Sequence, residues 1–423
     1  MPTDQTAALQ PATATPPAAA HAWRAILVGL GVAVVAFFVY WFSNRAFDAG
    51  RGDFFYLADA FLHGRTWIVS ALGPNDVITV NGHTYVPFAP FPAFVLAPLV
   101  ALIGPVNGDH VESGVNAFLA ATTVFLAWWV AGRIGVAALR DRLALVLLLG
   151  FSTQIWWVTT RGGVWHTGHL VAVILVLLAL AELFGKQRAG ILGLLIGAAF
   201  LTRAPIAFAA PPIALWLIPV DSRLLERGRS LGQRFRDLPW ADWVALAIGL
   251  SPALVFFFWY NLDRFGSPFE SGYALATLPA WLEAQRQKGL FGLVHVPMNL
   301  NYLFVKLPLF MNTFPWFKPD GLGMSVLFTS PGLLLAVLAP WRDRRAWLLL
   351  AAAVLVLIPT LLYYGGGWLQ YGYRYFLDSI PFVWALVAMG VVRRGRMPWW
   401  GWTLILWGVL VGAAGVYWAY NLH

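Results

Sequence analysis

Eleven apolar runs punctuate the chain, at 23–43, 114–132, 143–160, 169–183, 189–202, 204–219, 241–260, 325–339, 346–363, 377–391 and 399–418. A helix that crosses a bilayer needs about 20 mostly apolar residues, and its backbone groups must bond internally because lipid offers no partners. Composition agrees. Of the 423 residues, 60% are hydrophobic and 11% are Asp, Glu, Lys or Arg, where soluble domains carry roughly 45–50% and about 25%. A soluble enzyme, a disordered scaffold and a collagen-like fibre are excluded. With no Cys, the chain has no disulfide, no Cys-ligated zinc and no thiol chemistry. The expected fold is all-α and integral to the membrane, with about 11 transmembrane helices and further helices lying along the surface.

Charge sets the orientation. Residues 1–22 are rich in Ala, Pro and Thr and read as a disordered tail. Trp23 to Ser43 is too long for a signal-peptide core and no small-residue cleavage site follows, so it reads as the first anchor. Basic residues gather at Arg133/Arg140/Arg142, Lys186/Arg188, five Arg between Arg223 and Arg236, Arg342/Arg344/Arg345 and Arg393/Arg394/Arg396. These hold sixteen of the 28 Lys and Arg, and an eleven-pass count puts all five loops on one side. By the positive-inside rule that side is the cytoplasm, with the N-terminus inside and the C-terminus outside. The net charge of +9 thus follows membrane topology and is no nucleic-acid footprint. The stretch 88–104 contains Pro90, Pro92 and Pro98 and is expected to form a juxtamembrane or re-entrant helix, as is 297–317. Were 88–104 to span, the three Arg of 133–142 would move outside.

Three external segments follow: 44–113, 261–324 and the tight loop 364–376. Long loops in a compact chain are usually functional or disordered, and these are rich in aromatics, Gly and Pro. The first carries Asp48 and Asp53, then Phe54, Leu57 and Phe61 at i, i+3 and i+7, a stripe suited to a helix on the membrane surface that Gly64 stops. Asp53 precedes that stripe and reads either as a helix cap or as a reactive group; Asp59 reads as a solvated face. An interfacial carboxylate is what a glycosyl transfer needs, because the acceptor hydroxyl loses a proton as it attacks the anomeric carbon. A lipid-phosphate leaving group needs cations.

The order of features resembles the GT-C superfamily of membrane glycosyltransferases, which includes the protein O-mannosyltransferases, the aminoarabinose transferase of lipid A and the oligosaccharyltransferases. The likeness runs over about 25–420: an N-terminal anchor, a long acidic first loop, the Pro-rich Tyr85-Val-Pro-Phe-Ala-Pro-Phe-Pro, a basic turn at Arg133 to Arg142, and a short loop Arg161-Gly-Gly-Val-Trp-His166-Thr-Gly-His169. Further on, Asn261-Leu-Asp-Arg-Phe-Gly-Ser-Pro-Phe-Glu270-Ser-Gly-Tyr and Gly366-Gly-Trp-Leu-Gln-Tyr371-Gly-Tyr-Arg374-Tyr look like phrases common in bacterial members. The resemblance implies a GT-C-like module over 23–260, a second long external loop over 261–324 and C-terminal transmembrane helices over 325–423.

The resemblance also implies roles. The catalytic base falls on Asp53, with Asp48 the alternative. Arg374 would clamp the donor phosphate, or pair with Asp378 one turn later. Arg203 is a second phosphate candidate. Lys306 is a third, or snorkels to the interface. His166, His169, Glu270, Tyr371 and Tyr56 are candidates for substrate contact, and Trp165 or Trp368 for stacking on a sugar. Several relatives hold an acid, sometimes a metal ligand, where His166 stands here, so no obligatory metal cofactor is expected. The sequence has no Walker loop, dinucleotide fingerprint, HExxH or nucleophile elbow. Together with the resemblance this points to a polyprenyl-phosphate sugar donor and a glycan, lipid or protein acceptor on the outer face of the cytoplasmic membrane. A secondary transporter or flippase, or a non-catalytic membrane partner in glycan assembly, is the alternative.

Overall fold

A computed structural model describes residues 18–44, 52–69, 77–105, 110–219 and 230–421. Asp48 and most of the N-terminal tail lie outside the described residues. In chain order the elements are α1 (Ala18–Asn44), α2 (Asp53–Leu62), β1 (Ile78–Val80), β2 (His83–Tyr85), α3 (Phe91–Ile103), α4 (His110–Ile134), α5 (Leu139–Phe151), α6 (Ile155–Arg161), α7 (Val164–Leu183), α8 (Ala189–Phe200), α9 (Ala210–Trp216), α10 (Leu231–Arg236), α11 (Trp240–Phe265), α12 (Ala280–Arg286), α13 (Val296–Leu300), β3 (Leu309–Phe310), β4 (Phe317–Lys318), α14 (Val326–Thr329), α15 (Arg344–Leu362), α16 (Ile380–Arg394) and α17 (Trp399–Asn421). The strands form two small antiparallel hairpins. The fold is all-α and membrane-spanning.

Among the described residues, six helices (α1, α4, α7, α11, α15 and α17) are long and apolar enough to cross a membrane, and α5 with α6, bent by 44°, makes a seventh as a pair. Several of the eleven expected spans are therefore shorter or broken. Proline accounts for two of the breaks, whereas α5 and α6 part at Ser152-Thr153-Gln154, which holds no proline. A helix through Pro205 would drive its ring into the Leu201 carbonyl, so α8 ends at Phe200 and the chain resumes as a 3₁₀ turn at Ala204–Ala209. The run 325–339 divides at Ser330–Pro331 into α14 and a 3₁₀ turn. Helix α3, over the Pro-rich 88–104, has 13 residues, about 20 Å, well short of the ~30 Å hydrocarbon core.

The two ends of the bundle differ in chemistry. At one, Trp128 Nε1 donates to Ala25 O at 2.8 Å, Arg142 Nε to Val136 O at 2.6 Å and Arg393 Nη1 to Ala339 O at 3.1 Å. Arg133, Arg140, Arg188 and Arg345 belong to this arginine-rich end. At the other, Asn44 Nδ2 donates to Ser113 O at 2.9 Å, Tyr420 Oη to Ser43 O at 2.6 Å and Arg161 Nη1 to Ala419 O at 3.0 Å. The described residues of the segment 44–113 gather at this second, loop-rich end with 261–324 and 364–376, tied by Thr66 to Asp263, Arg264 to Val86 and Gln370 to Gly321. Helix α7 is the central post, with nearly every side chain buried. Helix α11 is peripheral and exposes Val244, Ile248, Val255 and Trp259, a stripe that suits contact with lipid.

Candidate functional site: a cationic cluster at the loop-rich end

Helix α7 presents two imidazoles where it begins. The turn before it needs left-handed backbone at Gly162 (φ 60°) and Gly163 (φ 83°), which glycine supplies without a Cβ clash. That turn brings the Gly162 carbonyl onto Nδ1 of His166, one helical turn on. A carbonyl only accepts, so Nδ1 carries the proton. His166 also packs edge-on against Trp157, ring centroids 5.1 Å apart.

One turn further, His169 Nδ1 donates to Asp378 Oδ1 at 2.9 Å. Arg203 Nε donates to the same carboxylate, at 3.1 Å to Oδ2 and 3.4 Å to Oδ1. Three distant segments thus meet at one buried acid: α7, the break after α8, and the 3₁₀ turn Arg374–Asp378. Burial pushes the Asp378 carboxyl up, but the Arg203 charge and His169 outweigh it and hold the group below the usual carboxylate range.

The pairing of Arg374 with Asp378 does not form. Residues 374–378 wind as a 3₁₀ turn, three residues per turn, so positions four apart point in different directions. Among the described residues Arg374 has no carboxylate partner. Its Nη1 donates to Trp368 O at 3.1 Å and its backbone N–H to Gln370 Oε1 at 3.1 Å, while the buried Nε has no partner. Gln370 in turn donates from its backbone N–H to Gly321 O at 2.9 Å and from Nε2 to Leu322 O at 2.5 Å. Arg374 and Arg203 converge on one aromatic ring, each with Cζ 5.3 Å from the centroid of Tyr375, within the range of a cation–π contact. Tyr363 stands edge-on to Tyr375 at 6.4 Å, and Tyr273 edge-on to Tyr363 at 6.3 Å.

Asp53 is the first residue of α2, not its cap. Gly52 caps the helix in left-handed conformation (φ 66°), with no side-chain cap bond. Asp53 itself is buried. Phe54, Phe55, Leu57 and Ala58 form a cluster with Leu96 and Val100 of α3 and Val164 of α7, and half-buried Tyr56 packs against it. The helix expected on the membrane surface is thus packed into the protein. Val164 is two residues before His166, so the start of α7 carries both a packing contact of the Asp53 helix and an imidazole. Asp59 pairs with Arg65 at 3.2 Å and His63 at 3.3 Å; it is not simply solvated.

The remaining candidates have protein partners. Lys306 Nζ meets Asp320 Oδ2 at 2.9 Å, and that hydrogen bond holds the lysine above its ordinary value. Glu270 Oε1 accepts from Gly272 N at 2.6 Å. Tyr371 Oη donates to Val411 O at 2.7 Å in a buried contact. Trp368 is exposed and stands 5.3 Å from Trp281, and Trp165 is partly exposed. Among the described residues no three His, Asp or Glu come together as a metal site.

Sequence reasoning missed what the Asn261 phrase does. Thr66 Oγ1 donates to Asp263 Oδ2 at 2.7 Å, and Arg264 Nη1 to Val86 O at 3.1 Å with its Cζ 3.7 Å from the Tyr260 ring. The phrase staples the first long loop to the second. It also missed Tyr375, whose place beside Arg374 in the chain was the available signal.

This is a multi-pass membrane protein with a GT-C-like fold. The fold is similar to that of ArnT from Cupriavidus metallidurans bound to undecaprenyl phosphate, with a TM-score of 0.50 and 17% identity over 93% of this chain and 64% of that one. Two structures of the Archaeoglobus fulgidus oligosaccharyltransferase also align. The apo form gives a TM-score of 0.45 and 13% identity over 93% of this chain and 56% of that one. The form in complex with an inhibitory peptide and a dolichol-phosphate, AglB, gives 0.43 and 12% over 92% and 56%. The chain therefore spans under two-thirds of the length of these proteins. No family model matches the sequence, and no curated protein matches it.

Proposed function

We propose that the protein transfers a sugar from a polyprenyl-phosphate carrier to an acceptor hydroxyl on the outer face of a cytoplasmic membrane. The arginine-rich end is then cytoplasmic and the loop-rich end external, with the N-terminus inside and the C-terminus outside. The observation that carries this reading is the convergence of Arg203 and Arg374 on Tyr375. Asp378 takes up part of the charge of Arg203, while Arg374 has only carbonyl and ring contacts. Guanidiniums so placed suit the paired oxygens of a lipid phosphate.

In this mechanism the acceptor oxygen attacks the anomeric carbon from the face opposite the phosphate. The bond from that carbon to the phosphate oxygen breaks, its electron pair leaves with the polyprenyl phosphate, and the centre inverts. Arg374 and Arg203 stabilise the charge left on the phosphate. Asp53, or Asp48 in its place, accepts the acceptor's proton. The ordinary-length contacts of Tyr371 and Glu270 within the protein favour structural roles for both. ArnT bound to undecaprenyl phosphate supplies the donor class by analogy of fold.

The test is transfer by purified protein in vesicles, with a panel of undecaprenyl-phosphate-linked sugars and an extract of the cell envelope as acceptor. Donor-dependent release of undecaprenyl phosphate supports the reading. If no donor yields release while undecaprenyl phosphate also fails to bind, the reading is overturned.

A further inference from the structure

The second long loop carries a hairpin that the proposed reaction does not use. Strands β3 and β4 pair antiparallel, Leu309 opposite Lys318 and Phe310 opposite Phe317, and Met311 N–H donates to Trp316 O at 2.8 Å. Its side chains are of the wrong kind for an aqueous loop. Leu307, Leu309, Phe310, Phe314 and Trp316 are between 54% and 70% exposed. Five large apolar groups on one hairpin exceed the scattered exposure that a water-facing surface normally tolerates.

The position of the hairpin says what covers them. It packs on the loop-rich end of α17, where Trp418 Nε1 donates to Phe317 O at 3.0 Å and Phe314 stands edge-on to Tyr417 at 5.7 Å. Beneath it, Phe317 meets Phe328 at 5.5 Å and Phe328 meets Trp407 at 5.6 Å. Helix α17 exposes Leu406, Trp407, Leu410 and Tyr417, the outward face of a membrane-spanning helix. The apolar side chains of the hairpin join that face at Tyr417 through Phe314, with the exposed Asn312 and Thr313 at the turn itself. Cations mark the base: Lys318 is exposed, and Lys306 closes the loop through Asp320. Aromatic tips above lysines are the pattern of an element seated at the boundary between headgroups and acyl chains.

We propose that the tip of this hairpin, Leu309 to Trp316, is seated in the bilayer interface at the loop-rich end, its occupant being the acyl and headgroup layer of the membrane itself. The seat has a mechanical consequence. Past Asp320 the chain runs into Gly321 and Leu322, both bonded to Gln370, which accepts from the Arg374 backbone. The depth of the hairpin therefore helps to set the level of the loop that carries Arg374.

The absence of Cys makes the test direct, because one introduced Cys is the one labelled site. Phe310→Cys and Phe314→Cys each carry a nitroxide in the full-length protein, reconstituted into vesicles of phosphatidylethanolamine and phosphatidylglycerol. Leu410→Cys on α17 is the lipid reference and Arg342→Cys the aqueous one. Power saturation compares collision with oxygen, which partitions into lipid, and with a water-soluble nickel chelate. At both hairpin sites oxygen is expected to exceed the chelate several-fold, as at Leu410. A chelate-dominated signal, as at Arg342, overturns the proposal. Low collision with both reagents also overturns it, because a protein partner or a second copy would then cover the tip. The readout needs no sugar transfer, so its failure is distinct from failure of the proposed reaction.

Discussion

Asp378 accepts hydrogen bonds from His169 at 2.9 Å and from Arg203 at 3.1 Å, and so binds the central helix to the break after α8. The acid is fully buried while Arg203 keeps some solvent contact, with 22% of its side chain exposed. Removing the acid strands a partly buried guanidinium. Asp378→Asn is expected to destabilise the protein by roughly 3 kcal/mol, the low end for breaking a buried pair because Arg203 stays partly hydrated. Thermal unfolding in detergent checks this, and an unchanged midpoint would contradict it.

The same acid predicts a pH dependence. Its folded value lies below the usual range because Arg203 and His169 outweigh burial. As pH falls, the unfolded chain therefore binds this proton first, at about 3.9. The stabilisation is complete above about pH 5 and is lost as pH falls through the lower folded value. The gap in Tm between wild type and Asp378→Asn should stay level from about pH 7 to 5 and narrow below about pH 4. A gap that closes between pH 7 and 5 would point to another group.

Arg374→Lys keeps a positive charge but loses the planar fork. If the guanidinium grips a lipid phosphate through two parallel bonds, affinity for undecaprenyl phosphate should fall about tenfold or more. Titration by intrinsic tryptophan fluorescence, or by surface-immobilised protein, gives the Kd. Equal affinity in both proteins would remove Arg374 from the phosphate site.

Lys306 offers a contrast. Its charge is matched by Asp320 at 2.9 Å in a partly exposed pair, of a kind that contributes about 0–1 kcal/mol. Lys306→Ala is expected to leave the undecaprenyl phosphate Kd within about twofold and stability within about 1 kcal/mol. A tenfold loss of affinity would return Lys306 to the donor site.

The apolar runs made the all-α membrane fold legible, and among the described residues Arg142 and Arg393 of the expected basic clusters stand at one end of the bundle. The resemblance singled out Arg203, Arg374, His166 and His169, four residues that stand at the same end of α7. Their partners were not legible. His169 and Asp378 are 209 residues apart, and Arg203 and Asp378 are 175 apart, so no local spacing connects them. α-Helical spacing would pair Arg374 with Asp378, the alternative to a phosphate clamp, and the 3₁₀ winding separates them. Of the two readings of Asp53, the cap is closed because Gly52 fills that position with a backbone conformation open to glycine. The count of eleven spans is not confirmed, and proline shortens the helices at Pro205 and Pro331.

The most direct measurement is single-turnover transfer from bound undecaprenyl-phosphate sugar by wild type, Asp53→Asn and Asp48→Asn. If one of these two acids takes the acceptor proton, one of the two variants will bind donor with unchanged Kd and transfer about 10²- to 10⁴-fold more slowly. Full transfer by both variants would contradict the account.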